Sequence, residues 1–171
     1  MSLIVPVDIV DSGRALAPER PGLNLSSSKW THIMASAKTG PSIATPHVPV
    51  SWGELIDKIT ILEIKSARLT SAAALQNVRN ELAQLTEKTI PLGAMSQQVE
   101  PLKKDLTSVN EALWEIEDKI RDKESAKAFD AEFIELARSV YITNDKRAAL
   151  KRQINQLLAS ELVEEKGYAA Y

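Results

Sequence analysis

Two arginines, an asparagine and an aspartate interrupt an otherwise apolar helical stretch, and their side chains could bind an anion. The four residues, all between positions 136 and 155, are Arg138, Asn144, Asp145 and Arg147. An arginine guanidinium presents a planar fork of donors that matches a carboxylate or a phosphate. We therefore consider a pocket for an anionic metabolite, to which Arg68 and Lys58 from an earlier helix would contribute.

The same four residues also have a structural interpretation. A polar residue on a helix-packing seam sets the register or the choice of partner, at some cost in stability. Spacing alone does not show whether these side chains converge. Both interpretations, a binding pocket and a packing register, therefore stay open.

Three carboxylates on one helix face could bind a hard metal ion, and they are Glu111, Glu115 and Asp118. Lys119 and Arg121 follow closely, which favours a solvated face with balanced charges. Di-metal helical bundles use Glu-x-x-His motifs, and both histidines of this chain lie before residue 48. We therefore assign no metal ligand.

Composition excludes several classes of chemistry. The chain has 171 residues and no cysteine, which excludes disulfides, thiolate catalysis and cysteine-bound metals. A net charge of -2 argues against a nucleic-acid partner. The nucleotide-binding, hydrolase and zinc-protease motifs are missing, so we expect no catalytic residue and no cofactor. No apolar run is long enough for a membrane span, and the start does not resemble a signal peptide.

The chain changes character near residue 50. Six of its eight prolines precede that position, and no helical or strand period persists there. We predict an irregular tail over residues 1–47 and a helical domain over residues 48–171. Met34 is an alternative start, which would make the first 33 residues an over-extended reading frame.

From Ser51 onward the apolar spacing predicts helices. Ser51 and Glu54 have the S-x-x-E pattern of a capping box, which begins the first helix. Apolar residues lie on more than one side of this helix, so we expect it to pack against more than one neighbour. The apolar stripe shifts by two positions at Thr70, where Ser71 can begin a second helix over residues 72–88. A single bent helix across Thr70 is the alternative.

Two longer helices follow. Residues 89–96 include a proline and a glycine, which predicts a loop. The third helix, over residues 99–124, has the clearest apolar spacing and places Pro101 near its first turn. Its seam consists of Val99, Leu102, Leu106, Val109, Leu113, Ile116 and Ile120. Asp130 can cap a fourth helix over residues 130–159.

The helix lengths predict an all-α antiparallel bundle. The third and fourth helices form a long hairpin, and the two shorter helices pack along part of it. At 1.5 Å per residue, the fourth helix would be about 45 Å long and each of the first two about 27 Å. The unmatched end of this coiled-coil-like hairpin would expose apolar residues, so we expect a homodimer.

Five segments resemble a family of small all-helical bacterial proteins that is catalogued only as a domain of unknown function. They are Val48–Lys65, Asn77–Leu82, Leu113–Arg121, Phe129–Asn155 and Glu164–Tyr171. The resemblance covers about residues 46–171 and implies a bacterial, cytoplasmic protein. It also implies a link to surface-polysaccharide or glycosyltransferase functions, but no activity, cofactor or catalytic residue.

Two functional hypotheses follow. The first is a non-enzymatic, oligomerising interaction or scaffold protein. The alternative is a binder or enzyme for an anionic metabolite or a sugar nucleotide, with an arginine-lined pocket between helices. The first depends on apolar seams that lack a partner, and the second depends on the polar residues that interrupt the fourth helix.

Overall fold

Four α-helices account for most of the residues that the structure describes. They are α1 (Trp52–Arg68), α2 (Ala72–Glu87), α3 (Ser96–Ser125) and α4 (Ala131–Leu157). The computed structural model describes residues 43–165 and Gly167, and no strand occurs among them. The predicted tail over residues 1–47, with its alternative start at Met34, lies mostly outside the described residues. None of the helices in the described part has the length and hydropathy needed to cross a membrane.

The α1 helix begins where its capping residue predicts. Ser51 is extended, and its Oγ accepts a hydrogen bond from the Glu54 N–H at 3.2 Å. The carboxylate of Glu54 binds Lys151 of α4 instead of completing a capping box. The cap is therefore confirmed, and the side chain at its third position makes a tertiary contact.

The chain breaks between α1 and α2, as the shift of the apolar stripe predicts. Leu69 is extended, with ψ of 143°, and Ser71 caps α2 by accepting a hydrogen bond from Ala74 N–H. Two helices are therefore confirmed, and the alternative of one bent helix across Thr70 is wrong.

The predicted loop before α3 is largely helical. Residues Ile90–Met95 form a short 3-10 segment in which Gly93 has φ of 49°, and α3 begins directly afterwards at Ser96. Pro91 fits the first turn of the 3-10 segment, because a missing N–H costs little there. Since α3 begins earlier than the predicted residue 99, Pro101 lies inside the helix and removes one backbone hydrogen bond.

The hairpin turn between α3 and α4 is held by local contacts. Asp130 caps α4 as predicted, because its Oδ1 accepts a hydrogen bond from the Phe133 N–H at 3.0 Å. Lys123 of α3 donates to the same carboxylate at 2.9 Å. Phe129 and Phe133 pack edge to face, with ring centroids 5.2 Å apart.

The α1 helix is central to the packing, since it contacts each of the other three helices. Its apolar residues on several sides make this possible, and the predicted packing against more than one neighbour is confirmed. The core cluster consists of Ile56, Val99, Leu106 and Ile154. The α2 helix packs mainly on α1, whereas the sequence predicted that it lies along the hairpin. The α3–α4 pair forms the predicted antiparallel hairpin of the bundle.

Candidate functional site

A polar contact joins the start of α1 to the last turns of α4, and the two helices come close together at Gly53. A Cβ at this position would lie 2.5 Å from the backbone oxygen of Lys151 and 3.0 Å from Asn155 Oδ1. The Gly53 N–H donates to that same Asn155 oxygen at 2.6 Å. Only glycine therefore allows this approach of the two backbones.

The N-terminal N–H groups of α1 are satisfied by this contact and by the Ser51 cap. Such groups have no partner within their own helix, and together they form a natural anion site. Here the Trp52 N–H donates to Ser160 Oγ at 3.3 Å, and Gly53 and Glu54 donate to Asn155 and Ser51. The start of α1 therefore binds side chains of its own protein.

Asp57 lies at the centre of the contact and is 1% exposed. Arg147 binds its carboxylate with two hydrogen bonds, from Nε at 2.8 Å and from Nη2 at 2.5 Å. Asn110 Nδ2 donates at 2.9 Å both to Asp57 Oδ1 and to Thr60 Oγ1. The Thr60 hydroxyl donates to the backbone oxygen of Asp57. These four residues, here named the Asp57 network, join α1, α3 and α4.

The electrostatics of the network keep Arg147 charged. Burial alone lowers the pKa of Arg147, but its hydrogen bonds to Asp57 and the nearby carboxylate charges outweigh this effect, so the pKa rises. In the interior, the charged guanidinium of Arg147 and the carboxylate of Asp57 therefore balance each other's charge through two hydrogen bonds. Such a pair is typical of a structural contact between helices.

Lys151 lies one turn further along α4 and is 9% exposed. Its Nζ donates to Glu54 Oε2 at 2.5 Å and to Glu164 Oε2 at 2.6 Å. Burial lowers the pKa of Lys151, but the two carboxylates outweigh it and the pKa is raised. The segment after α4 is held against the helix by Lys151 and by an exposed pair between Arg152 and Glu165.

The predicted cationic residues have separate partners. Arg68 pairs with Glu115, and its guanidinium lies 5.4 Å from the centre of the Trp114 ring. Lys58 pairs with Glu81 at 2.7 Å, and both side chains are about half exposed. Neither residue binds the carboxylate that holds Arg147.

The remaining predicted residues lie along α4. Arg138 is exposed and has a long contact of 3.9 Å with Glu135. Asn144 donates to the backbone oxygen of Val140 one turn earlier. Asp145 lines a groove on the helix surface. Of the six predicted residues, only Arg147 belongs to the Asp57 network.

That groove has a volume of about 280 Å³ and mixes both signs of charge. Its walls are Asp145, Ala148, Ala149, Lys151, Arg152, Asn155 and Glu164. A second groove of about 320 Å³ continues along Arg152 and Asn155 towards Glu165. Among the described residues, no group of three or more histidines, cysteines, aspartates or glutamates could bind a metal ion.

The sequence matches the family of unknown function DUF6165 over residues 46–171. The chain belongs to this family. No curated protein and no solved structure gives a significant match to the chain. The DUF6165 region includes all four helices, the Asp57 network and both grooves.

Several residues at the contact between α1 and α4 share a regular spacing that a search for apolar seams does not detect. Arg147, Lys151 and Asn155 are spaced by four and therefore form one polar line on α4. Gly53 and Asp57 have the same spacing on α1 and meet this line in the antiparallel sense. A polar line on one helix, together with a glycine and an aspartate at the same spacing on another, is a signal for a close polar contact between the two helices.

Proposed function

We propose that this DUF6165 protein is a non-enzymatic interaction protein that self-associates as a homodimer. The observation that carries the proposal is the lack of buried residues in the part of the hairpin near its turn. The buried positions of α3 end at Leu113, and those of α4 begin at Lys151. No residue in positions 114–146, here named the hairpin tip, is buried.

The hairpin tip exposes large apolar side chains. They are Phe129 at 56%, Ile134 at 56%, Tyr141 at 38% and Ile142 at 37% exposure. Apolar groups gathered on one surface mark interaction sites more often than single exposed residues do. Contact with a second chain would remove this surface from water, which is the main driving force of protein association.

The Asp57 network supports a structural role for the polar residues of the interior. Asp57 is buried, and it is bound by Arg147 and Asn110 of the same chain. A catalytic group must reach its substrate, whereas this carboxylate joins three helices. The arrangement therefore favours a rigid scaffold over an active site.

The resemblance of the DUF6165 region supports two further parts of the proposal: the protein is bacterial and cytoplasmic, and its partner acts in surface-polysaccharide assembly. The unbroken apolar spacing of α3 supports another part, that the hairpin packs as an antiparallel coiled coil. Fractionation of bacterial cells that encode the protein, followed by crosslinking and mass spectrometry, tests location and partner together. Recovery in the membrane fraction, or with partners unrelated to polysaccharides, would contradict these assignments.

The oligomeric state tests the main proposal. Size-exclusion chromatography with light scattering on the full chain should give twice the 18.8 kDa of one chain at micromolar concentration. A species of 18.8 kDa at every concentration, with no partner recovered from cells, would refute an interaction protein of this kind.

The groove beside Lys151 favours a second candidate function, the binding of an anionic metabolite. The carboxylate of Glu164 already binds Lys151, so the groove accommodates a carboxylate. Arg152 lies on the wall of the same groove. Its volume is close to the lower end of the roughly 300–1,000 Å³ usual for ligand pockets. Succinate or uridine diphosphate glucose should then raise the melting temperature of the wild type but not of Arg152→Ala. Equal responses of both proteins would remove this candidate.

A further inference from the structure

The side of α4 that faces away from the core carries apolar and charged residues along one stripe. Its members, here named the α4 face, are Ile134, Arg138, Tyr141, Ile142, Asp145 and Ala149. All six are exposed. With 3.6 residues per turn, they lie within a sector about 100° wide, which is the width of a typical helix-packing surface.

The α4 face is complementary to itself when two copies run antiparallel. If a two-fold axis passes between positions 141 and 142, Arg138 of each copy lies opposite Asp145 of the other. The same register sets Ile134 opposite Ala149 and brings Tyr141 and Ile142 of both copies together around the axis. Two pairs of opposite charges therefore flank an apolar centre, and no two like charges among these six positions face each other.

We propose that the α4 face is the surface on which a second copy of this chain binds, with the Arg138–Asp145 pair formed twice across a two-fold axis. This inference rests on the proposed self-association, and it adds the surface and the orientation. A two-fold contact requires a patch that complements itself, whereas a different partner imposes no such symmetry on the charges. Charge complementarity also fixes the register of a helix pair.

The present contacts of Arg138 are compatible with this role. Its interaction with Glu135 is long, at 3.9 Å, and both side chains are more than half exposed. The guanidinium can therefore turn towards a second copy without breaking a strong interaction. Beside the apolar centre of the contact each ion pair would lose part of its water, which makes the sign of its charges more important than at an open surface.

Charge reversal on the full chain tests the proposal. Arg138→Glu alone and Asp145→Arg alone each place two like-charged pairs across the axis. Sedimentation equilibrium should show the dimer dissociation constant rising by about tenfold or more for each variant. An equimolar mixture of the two variants restores both opposite-charge pairs in the mixed dimer, as does the double variant, and both should associate nearly as tightly as the wild type. Lys104→Glu, an exposed reversal on α3, is the matched control.

The outcomes separate this inference from the proposed function. If the wild type dimerises and the single reversals associate equally well, self-association stands and the α4 face is the wrong surface. If the single reversals weaken the dimer but the mixture does not recover, the direct Arg138–Asp145 pairing is wrong. If the wild type stays at 18.8 kDa at every concentration, both the α4 face as a dimer contact and the proposed self-association are wrong.

Crosslinking gives a second measurement that does not depend on charge. The chain has no cysteine, so Ile142→Cys introduces a single thiol next to the proposed axis. A short bis-maleimide should link two copies of this variant, whereas Ser108→Cys on the exposed side of α3 should stay unlinked. Equal crosslinking of both variants would contradict the proposed contact.

Discussion

Removal of the buried carboxylate of Asp57 is predicted to destabilise the bundle strongly. Asp57→Ala leaves the guanidinium of Arg147 without its two hydrogen bonds, at 2.8 and 2.5 Å, and Asn110 loses one acceptor. Breaking a buried ion pair by removal of one partner costs about 3–5 kcal/mol. Arg147 retains 15% side-chain exposure, so water can replace part of the loss and the lower end, about 3 kcal/mol, is expected.

Chemical denaturation followed by circular dichroism measures this loss as a change in the free energy of unfolding. All variants are compared at one protein concentration, since self-association would also contribute to stability. Lys58→Ala is the matched control, because its exposed pair with Glu81 on the same helix is worth at most about 1 kcal/mol.

A double variant separates the missing pair from the missing volume. Asp57→Ala combined with Arg147→Met removes both charges, and it should recover much of the stability lost in Asp57→Ala. If Asp57→Ala costs no more than Lys58→Ala, the Asp57 network does not hold the three helices together and the reasoning fails.

Two further predictions concern the contact between α1 and α4. Gly53→Ala should destabilise the protein by about 1–3 kcal/mol, because the added Cβ would clash with the backbone of Lys151. Gly167→Ala is the control: no atom lies within 4 Å of the added Cβ, so its melting temperature should not change. The raised pKa of Lys151 predicts a stabilisation that is present at neutral pH and is lost as the pH rises above the ordinary lysine pKa of 10.5. Wild type should therefore lose more stability than Lys151→Met in alkaline denaturation series, and parallel curves would contradict the role of the Glu54 and Glu164 contacts.

Local signals were sufficient for most of the helix boundaries. Ser51 and Asp130 are capping residues whose side chains accept hydrogen bonds from nearby N–H groups, so short-range sequence determines them. The break near Thr70 follows from the change of apolar phase. The predicted start of α3, at residue 99, is three residues too late because a 3-10 segment with a positive φ at Gly93 leads directly into the helix at Ser96. Such a segment has no apolar period of its own.

The candidate site was predictable only in part. Arg147 stands out in the sequence because it interrupts an apolar seam. Its partner Asp57 lies 90 residues earlier, and the pairing depends on the antiparallel approach of α1 and α4. Arg68 and Lys58 lie on α1 as well, but they meet Glu115 and Glu81 of other helices. Which charges meet therefore depends on the register between the helices. The spacing of residues within one helix does not show that register.

Hydrogen–deuterium exchange on the full chain at two protein concentrations tests most directly whether the hairpin tip is an association surface. Self-association predicts that amides of α4 around Tyr141 exchange more slowly at the higher concentration, while those of α2 exchange at the same rate. Exchange that is independent of concentration throughout α4, or protection confined to α2, would contradict the account.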